Sequence, residues 1–285
     1  MTKVEDKSAG TRVKKGVLGV ILNLILWIFS LTCIFPLVWM LYSSLKEKRQ
    51  FNADIIGLPT NPTLANYQKI LSNRDYNLLQ TMGNSLRSTV LSVVLIAFIV
   101  GYILARIDFK LNKPLYVMFL MGMLIPIHSL MVPIYIIFSK AGLSNHWYTL
   151  LFPYVAFALL MSIFLVQGYV RGIQTELEEA AAIDGSSFSK TLFGIILPVC
   201  KPILVTVAII NVFGCWNEFS FALILIKDSA VYTVPLGLKQ FTGQFNSDYP
   251  KIMAAMLMTM SPIVVFYFAF SKQIIKGMVA DAVKG

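Results

Sequence analysis

Long stretches without charged side chains alternate with polar segments along this sequence. Each stretch reaches or approaches the about 20 residues, at about 1.5 Å rise per residue, that a helix needs to cross the hydrocarbon core. The six stretches are 17–45, 88–105, 114–139, 141–170, 202–217 (resuming after Glu218 as far as 226) and 252–271. The pattern therefore predicts an all-α integral membrane protein with six transmembrane helices.

Composition supports this prediction. Of the 285 residues, 57% are hydrophobic and only 13% are charged, whereas a soluble domain carries about 25% charged residues. Six buried helices of this length in a soluble protein would leave too little chain to form a polar surface. The first apolar run is too long for the h-region of a signal peptide and is predicted to be a retained span.

The net charge of +10 raises the question of a nucleic-acid partner. The Lys and Arg residues are scattered over the loops, however, so membrane topology and lipid explain them better. Basic residues near span ends favour the cytoplasmic side, which predicts that both termini are cytoplasmic in a multi-pass protein. The predicted segments are a cytoplasmic tail 1–16, a first helix 17–45, an extracytoplasmic loop 46–82, a five-helix core 83–276 and a cytoplasmic tail 277–285.

Two segments are predicted to lie outside the membrane. The first, 46–82, contains turn residues and a short amphipathic stretch over 64–71. The second is the polar and aromatic segment 227–251. Either could present a surface to an extracytoplasmic partner, and either could be a solvated connector.

The longest predicted inside loop, 171–201, has the signals of two short helices. Thr175 and Glu178 have capping-box spacing, which predicts a helix that begins at Glu176. Gly185 is suited to end that helix, because glycine tolerates the left-handed conformation. Ser186 or Ser187 can cap a second helix, whose apolar positions recur at helical spacing.

The first of these helices is acidic. Interfacial helices on lipid are typically rich in Lys and Arg, whereas this one carries Glu176, Glu178 and Glu179. Its carboxylates therefore favour basic groups of a protein partner, with an ordinary interfacial helix as the alternative.

The same loop resembles the EAA loop of ATP-binding-cassette importer permeases, whose pattern is E-A-A-x3-G-x9-I-x-L-P. The matching residues are Glu179, Ala180, Ala181, Gly185, Ile195, Leu197 and Pro198. Nearly the whole chain resembles the carbohydrate-importer branch and, within it, the second maltose-type permease subunit. The supporting segments are 216–219, 233–238 and 282–285. Gln174 and Asp281 depart from the family pattern, so the start of the loop helix is less strictly specified.

The resemblance implies a type I ABC importer transmembrane fold and alternating access driven by separate subunits. This sequence has no GxxxxGK[ST] phosphate loop, so ATP and Mg²⁺ are expected on two cytoplasmic ATPase subunits, with no cofactor in this chain. The other expected partners are a homologous permease subunit, forming a heterodimer, and an extracytoplasmic sugar-binding protein in a bacterial or archaeal cytoplasmic membrane. The predicted ATPase-coupling residues are Glu176, Glu179, Ala180, Ala181, Asp184, Gly185, Ile195, Leu197 and Pro198.

Two further groups are candidates for contact with substrate or binding protein. Glu218 interrupts a predicted span beside Trp216 and Asn217, and charged residues inside spans are functional candidates. The alternative is that Glu218 caps a structural network near the outer interface. The residues predicted to contact the binding protein are Thr233, Pro235 and Gly237.

Two other classes of protein compete with the permease hypothesis. An ion-gradient-driven transporter needs intramembrane acids, for which only Glu218 qualifies. A membrane-embedded enzyme needs clustered His, Asp or Lys side chains at one depth, and the two histidines lie far apart. We therefore predict a transport subunit with no catalytic residue and no metal site.

Overall fold

The computed structural model describes residues 5–72, 77–90, 93–241 and 247–282. For 5–18, 89–90, 93 and 272–282 it describes the backbone alone. Within these ranges the chain forms helices, turns and extended connections, and no strand. It divides into two compact units. The first unit is Met1–Lys69 with Gln244–Leu257, and the second unit is Ile70–Gly243 with Met258–Gly285.

The predicted all-α membrane fold is confirmed. Among the described residues, three helices are long and apolar enough to cross a membrane, namely Gly19–Ser44, Leu151–Arg171 and Tyr249–Ser271. Two bent helix pairs also pass as spans, Asn112–Met123 with Ile127–Lys140 and Phe188–Val199 with Lys201–Asn217. The remaining predicted span, 88–105, corresponds mainly to a shorter apolar helix, Val93–Arg106.

The chain bends within the predicted third span and just before the predicted fifth span. The third turns by 94° between Met123 and Ile127, where Pro126 cannot donate a backbone hydrogen bond. The second bend, of 72°, lies between Val199 and Lys201, at the start of the predicted fifth span, with Pro198 and Pro202 on either side of it. Continuous hydrophobicity predicts burial in lipid or protein, but it does not predict helix direction.

The first unit contains α1 (Glu5–Ser44), α2 (Lys48–Ala53), most of α3 (Ala65–Ser72) and the beginning of α15 (Tyr249–Ala282). Helix α1 thus begins before the predicted first span, and α3 forms where the amphipathic stretch was predicted. The segment after α1 folds back on that helix, because the Asn66 amide donates to the carbonyls of Ser44 and Lys46, both at 2.8 Å. The Trp39 indole also donates to the Ile55 carbonyl at 3.0 Å.

Lys46 is fully buried in this fold. Its ammonium donates to the Asp54 carbonyl at 2.8 Å and lies 5.6 and 5.8 Å from the ring centroids of Tyr42 and Phe51. Burial of a charge is costly without such partners, and carbonyl oxygens and aromatic faces both attract a cation. The lysine therefore ties the start of the predicted 46–82 loop into an ordered structure.

The second unit contains the remaining helices and the later part of α15. They are α4 (Leu78–Val90), α5 (Val93–Arg106), α6 (Asn112–Met123), α7 (Met131–Lys140), α8 (Leu151–Arg171), α9 (Glu176–Ile183), α10 (Phe188–Thr191), α11 (Leu197–Val199), α12 (Lys201–Asn217), α13 (Ser220–Leu225) and α14 (Val234–Lys239). A π-helical turn, Leu192–Ile196, joins α10 to α11. The predicted inside loop, 171–201, therefore contains the three short helices α9, α10 and α11.

Helices α5 and α8 pack closely along each other at the centre of the second unit. A β-carbon added at Gly101 of α5 would lie 2.7 Å from Val166 Cγ1 of α8. Phe98 on α5 and Val170 on α8 share one buried cluster with Leu192 and Ile196 of the π-helical turn. The predicted inside loop is thus anchored in the same core as these two helices.

Candidate functional site

Helix α9 begins at Glu176 as predicted, but the capping box does not form. Thr175 has helical backbone angles and its side chain makes no capping hydrogen bond, whereas a side-chain N-cap usually requires an extended backbone. The Thr175 carbonyl instead accepts from the backbone N–H groups of Glu178 and Glu179 at 2.9 and 3.1 Å. The Glu178 side chain points elsewhere, toward α5.

Glu178 forms an ion pair with Arg106, at the last residue of α5. Arg106 Nε donates to Glu178 Oε1 at 2.8 Å, and Tyr102 Oη donates to Glu178 Oε2 at 3.1 Å. The second terminal nitrogen of Arg106 donates to the Ile173 carbonyl at 2.7 Å. Sequence reasoning grouped Glu178 with the partner-facing acids, and this assignment was wrong for the chain by itself, because both carboxylate oxygens are used internally.

Helix α9 ends in the turn that the sequence predicted. Gly185 has φ of 73°, in the left-handed region. Its N–H donates to the Ala182 carbonyl at 3.0 Å, and the Ser186 N–H donates to the Ala181 carbonyl at 2.9 Å. This paired arrangement is the Schellman motif, and it sets the bend between α9 and the next helix.

The second loop helix also begins where expected. The Ser187 hydroxyl accepts from the Lys190 N–H at 3.4 Å and caps α10. Leu192 and Ile196 of the following π-helical turn are buried. Single π-helical turns are frequent at functional sites, and here the turn lies between the predicted coupling residues Gly185 and Pro198.

Four residues of α9 form one exposed stripe, which we call the α9 stripe. It consists of Glu176, Glu179, Ala180 and Ile183, at helical spacing i, i+3, i+4 and i+7, and all four are exposed. Ile183 is 86% exposed, although fully exposed isoleucine is unfavourable in water. Sequence reasoning missed Ile183, and its position four residues after Glu179 was the available signal.

The other predicted loop residues lie around this stripe. Ala181 is buried and faces the second unit's interior, Ile195 and Leu197 are half-buried, and Asp184, Gly185 and Pro198 are exposed. The predicted residues thus lie on both sides of the loop, some exposed and some facing the interior. Their coupling role stays a prediction.

Glu218 lies between α12 and α13 and caps the second of them. Its carboxylate accepts from the N–H groups of Phe221 at 2.7 Å and Ala222 at 3.3 Å, and from Tyr154 Oη at 2.9 Å. Trp216 is buried, and the exposed Asn217 amide donates to the Phe213 carbonyl at 2.9 Å. The three residues therefore do not form one cluster of free polar groups.

A cavity of about 250 Å³ lies beside Glu218 within the second unit. Its wall is mostly apolar and includes Tyr154, Asn211 and Glu218. The Asn211 amide is already engaged, because it donates to the Ser162 hydroxyl at 3.0 Å. The hydrogen bonds of Glu218 thus match the alternative in which it caps a structural network. A role of Glu218 in the substrate pathway stays a prediction.

The segment that contains α14 packs against α4, and it includes Thr233, Pro235 and Gly237. Thr233 is 1% exposed, and a β-carbon at Gly237 would lie 2.8 Å from Thr81 Cγ2. The Val234 N–H donates to the Ser85 hydroxyl at 2.9 Å. Pro235, in the first turn of α14, is half-buried. Contact of these residues with a binding protein stays a prediction, since two of the three side-chain positions face inward.

Comparison with known proteins gives one consistent result. Residues 97–279 match the family described as binding-protein-dependent transport system inner membrane component. The chain is 36% identical to the ABC transporter permease protein ORF2 of Caldicellulosiruptor sp. (strain Rt8B.4), over 90% of this chain and 94% of the relative. It is 33% identical to the trehalose/maltose transport system permease protein MalG of Thermococcus litoralis, over 90% and 94% of the two chains.

A solved structure shares the fold. It is the crystal structure of a bacterial ABC transporter involved in the import of the acidic polysaccharide alginate, with a TM-score of 0.79 and 19% sequence identity. The match covers 91% of this chain and 97% of the other.

Proposed function

Because the chain belongs to the inner membrane components of binding-protein-dependent transport systems, it is an ABC permease subunit, and we propose that it translocates a sugar or oligosaccharide. The substrate class is supported by the names of its relatives, among them a trehalose/maltose permease. We further propose that a homologous second permease completes the pathway, as a heterodimer. Both termini of this multi-pass chain are proposed to lie in the cytoplasm.

The observation that carries the mechanism is the α9 stripe. Its carboxylates at Glu176 and Glu179 suit Arg or Lys on a partner, and Ile183 offers an exposed apolar side chain between them and the bend at Gly185. A groove with a basic rim and an apolar floor would cover all three. We assign that groove to a cytoplasmic ATPase subunit.

Energy input is proposed to come from that partner. This sequence contains no glycine-rich phosphate loop, so two ATPase subunits are proposed to bind ATP and Mg²⁺ and to supply the catalytic residues. We propose that their closure moves the loop helices and that access alternates by rocking of packed helix bundles, as it does in secondary transporters. A solute-binding protein outside the membrane delivers the substrate.

The most direct test of this assignment is purification of the complex by a tag on this chain. Co-purification of an ATPase, a second permease and a solute-binding protein is expected, and the ligand preference of the binding protein then names the sugar. Recovery of this chain without an ATPase under conditions that preserve uptake would overturn the proposal.

Glu179→Lys is expected to weaken ATPase association. The substitution places a cation opposite the proposed basic rim, and such like-charge contacts at an interface lower affinity by about tenfold or more. The measurement is the ATPase retained on the tagged chain. Asp108→Lys, a charge reversal at an exposed position after α5, is the matched control and should retain it. Equal retention in both variants would exclude Glu179 from the interface.

Glu218→Ala is expected to lower the amount of folded protein without changing the apparent KM of uptake. The substitution leaves the Phe221 N–H and the Tyr154 hydroxyl without their acceptor, which costs about 1–3 kcal/mol. Immunoblots of membranes and uptake kinetics give the two readouts. A normal protein level with a raised KM would instead support contact with the substrate.

A further inference from the structure

We propose that the Arg106–Glu178 ion pair is a positioning device that transmits movement of the coupling loop to helices α5 and α8. This inference rests on the proposed coupling role of α9 and assigns a separate task to its inward side. The α9 stripe receives the ATPase, and the ion pair delivers the resulting displacement to the membrane helices.

Arg106 holds α9 at two points. It donates to the Glu178 carboxylate at 2.8 Å and to the Ile173 carbonyl at 2.7 Å, so one guanidinium fixes both the first turn of α9 and the linker before it. The Arg106 and Glu178 side chains are only 11% and 20% exposed. Solvent screens a pair in this setting less than a surface pair, and Arg suits such multi-donor geometry.

Tyr102 adds a second connection from the same face of α5. Its hydroxyl donates to the other Glu178 oxygen at 3.1 Å, and its ring centroid lies 6.0 Å from that of Phe188, the first residue of α10. The first loop helix and the second loop helix therefore both contact α5, one through a polar group and the other through an aromatic ring.

The receiving helices are packed closely enough to move together. Gly101, five residues before Arg106 on α5, allows the approach of Val166 on α8. Leu192 and Ile196 of the loop are buried in the same cluster. Close-packed interiors transmit displacement and do not absorb it by continuous deformation.

Neighbouring residues on α9 divide the two tasks. Successive side chains of a helix project about 100° apart, so Glu178 points toward α5 while Glu179 is exposed. The structure thus separates a residue for docking from a residue for transmission, and the two can be tested independently.

The test uses the complete transporter in proteoliposomes. The variants are Glu178→Gln and Arg106→Gln, each of which removes one charge, and the exchange Glu178→Arg with Arg106→Glu. The readouts are ATPase retained on the tagged chain, ATP hydrolysed and substrate taken up. Asp108→Asn and Lys110→Gln are matched controls, because both residues are exposed just beyond α5.

Both single variants are expected to retain the ATPase and hydrolyse ATP, while the substrate taken up per ATP falls about tenfold, the scale of a typical coupling free energy. The exchange should recover part of this loss, because it restores the ion pair but a carboxylate at position 106 cannot donate to the Ile173 carbonyl, and the controls should match the unmodified protein. Tyr102→Phe, which removes one hydrogen bond and keeps the ring, should give a smaller loss and covers the case that a charge variant does not fold.

Two results would overturn this inference. Unchanged uptake per ATP in Tyr102→Phe and the single charge variants would exclude transmission through the pair. Loss of the ATPase from those variants would show that the pair shapes the docking surface instead. If α9 has no coupling role at all, Glu179→Lys retains both the ATPase and full uptake. This result separates failure of the proposed coupling role from failure of the ion-pair inference.

Discussion

Gly185→Pro is expected to abolish ATP-driven uptake while the chain remains inserted in the membrane. Proline fixes φ near −65°, whereas Gly185 has φ of 73°. Proline also lacks the N–H that donates to the Ala182 carbonyl at 3.0 Å. The Schellman turn cannot form, so α9 and α10 lose their mutual orientation and the α9 stripe no longer faces its groove.

Gly185→Asn is the matched control for this prediction. A β-carbon at this position meets no atom within 4 Å, so a substitution here affects the backbone conformation and causes no steric clash. Asparagine enters the left-handed region more readily than other side chains, at about 1 kcal/mol, and should retain most of the uptake. Quantitative immunoblots of membranes and uptake per inserted complex provide the measurement. Full uptake by the proline variant would exclude the bend from the coupling step.

The second large effect is expected for Gly101→Ala. The added β-carbon would lie 2.7 Å from Val166 Cγ1, 2.9 Å from Val166 Cβ and 3.2 Å from the Gln167 backbone nitrogen. Because rotation of the Val166 side chain moves neither its Cβ nor the Gln167 nitrogen, the backbones of α5 and α8 must move apart. Overpacking of this kind costs about 1–3 kcal/mol, even though alanine favours helix formation over glycine.

Thermal unfolding of the purified complex measures this effect, and uptake should fall with it. Val166→Ala in the Gly101→Ala background removes the nearest atom and should restore part of the lost stability. Gly168→Ala is the control on α8, since a β-carbon there meets nothing within 4 Å of this chain. A Gly101→Ala variant as stable as the control would contradict the close packing of α5 and α8.

The local features of the loop could be predicted from sequence because their physical causes are local. Glycine at position 185 requires no distant partner to end a helix, and Ser187 caps the next helix within three residues. The absence of charge over long stretches likewise predicts membrane burial without knowledge of packing. These features depend on residue types and spacings alone.

Features that depend on residues distant in the sequence could not be predicted from local spacing. Glu178 has capping-box spacing from Thr175, but its carboxylate binds Arg106, which is 72 positions away in the sequence. Local spacing cannot show that a stronger partner competes for the same side chain. Gly237 likewise belongs to a matching segment, yet only the fold shows that it allows α14 to approach Thr81.

The directions of the apolar segments also depended on tertiary structure. Pro126 lies at the break in the third predicted span, but the 94° angle between the two helices there is seen only in the structure. Similarly, helical spacing places Ile183 on the side of Glu179, but its exposure is seen only in the folded structure. The sequence thus located the candidate loop, and the structure showed which of its side chains are exposed and which face inward.

In the proposed mechanism, this permease moves substrate with energy from ATP hydrolysed by a separate subunit. The direct measurement is uptake by proteoliposomes that contain the complete transporter and its binding protein, with ATP inside the compartment that holds the ATPase and a proton uncoupler present. Uptake that continues with the uncoupler and stops when ATP is withdrawn is the predicted result. Uptake that stops with the uncoupler while ATP is maintained would show instead that an ion gradient drives transport.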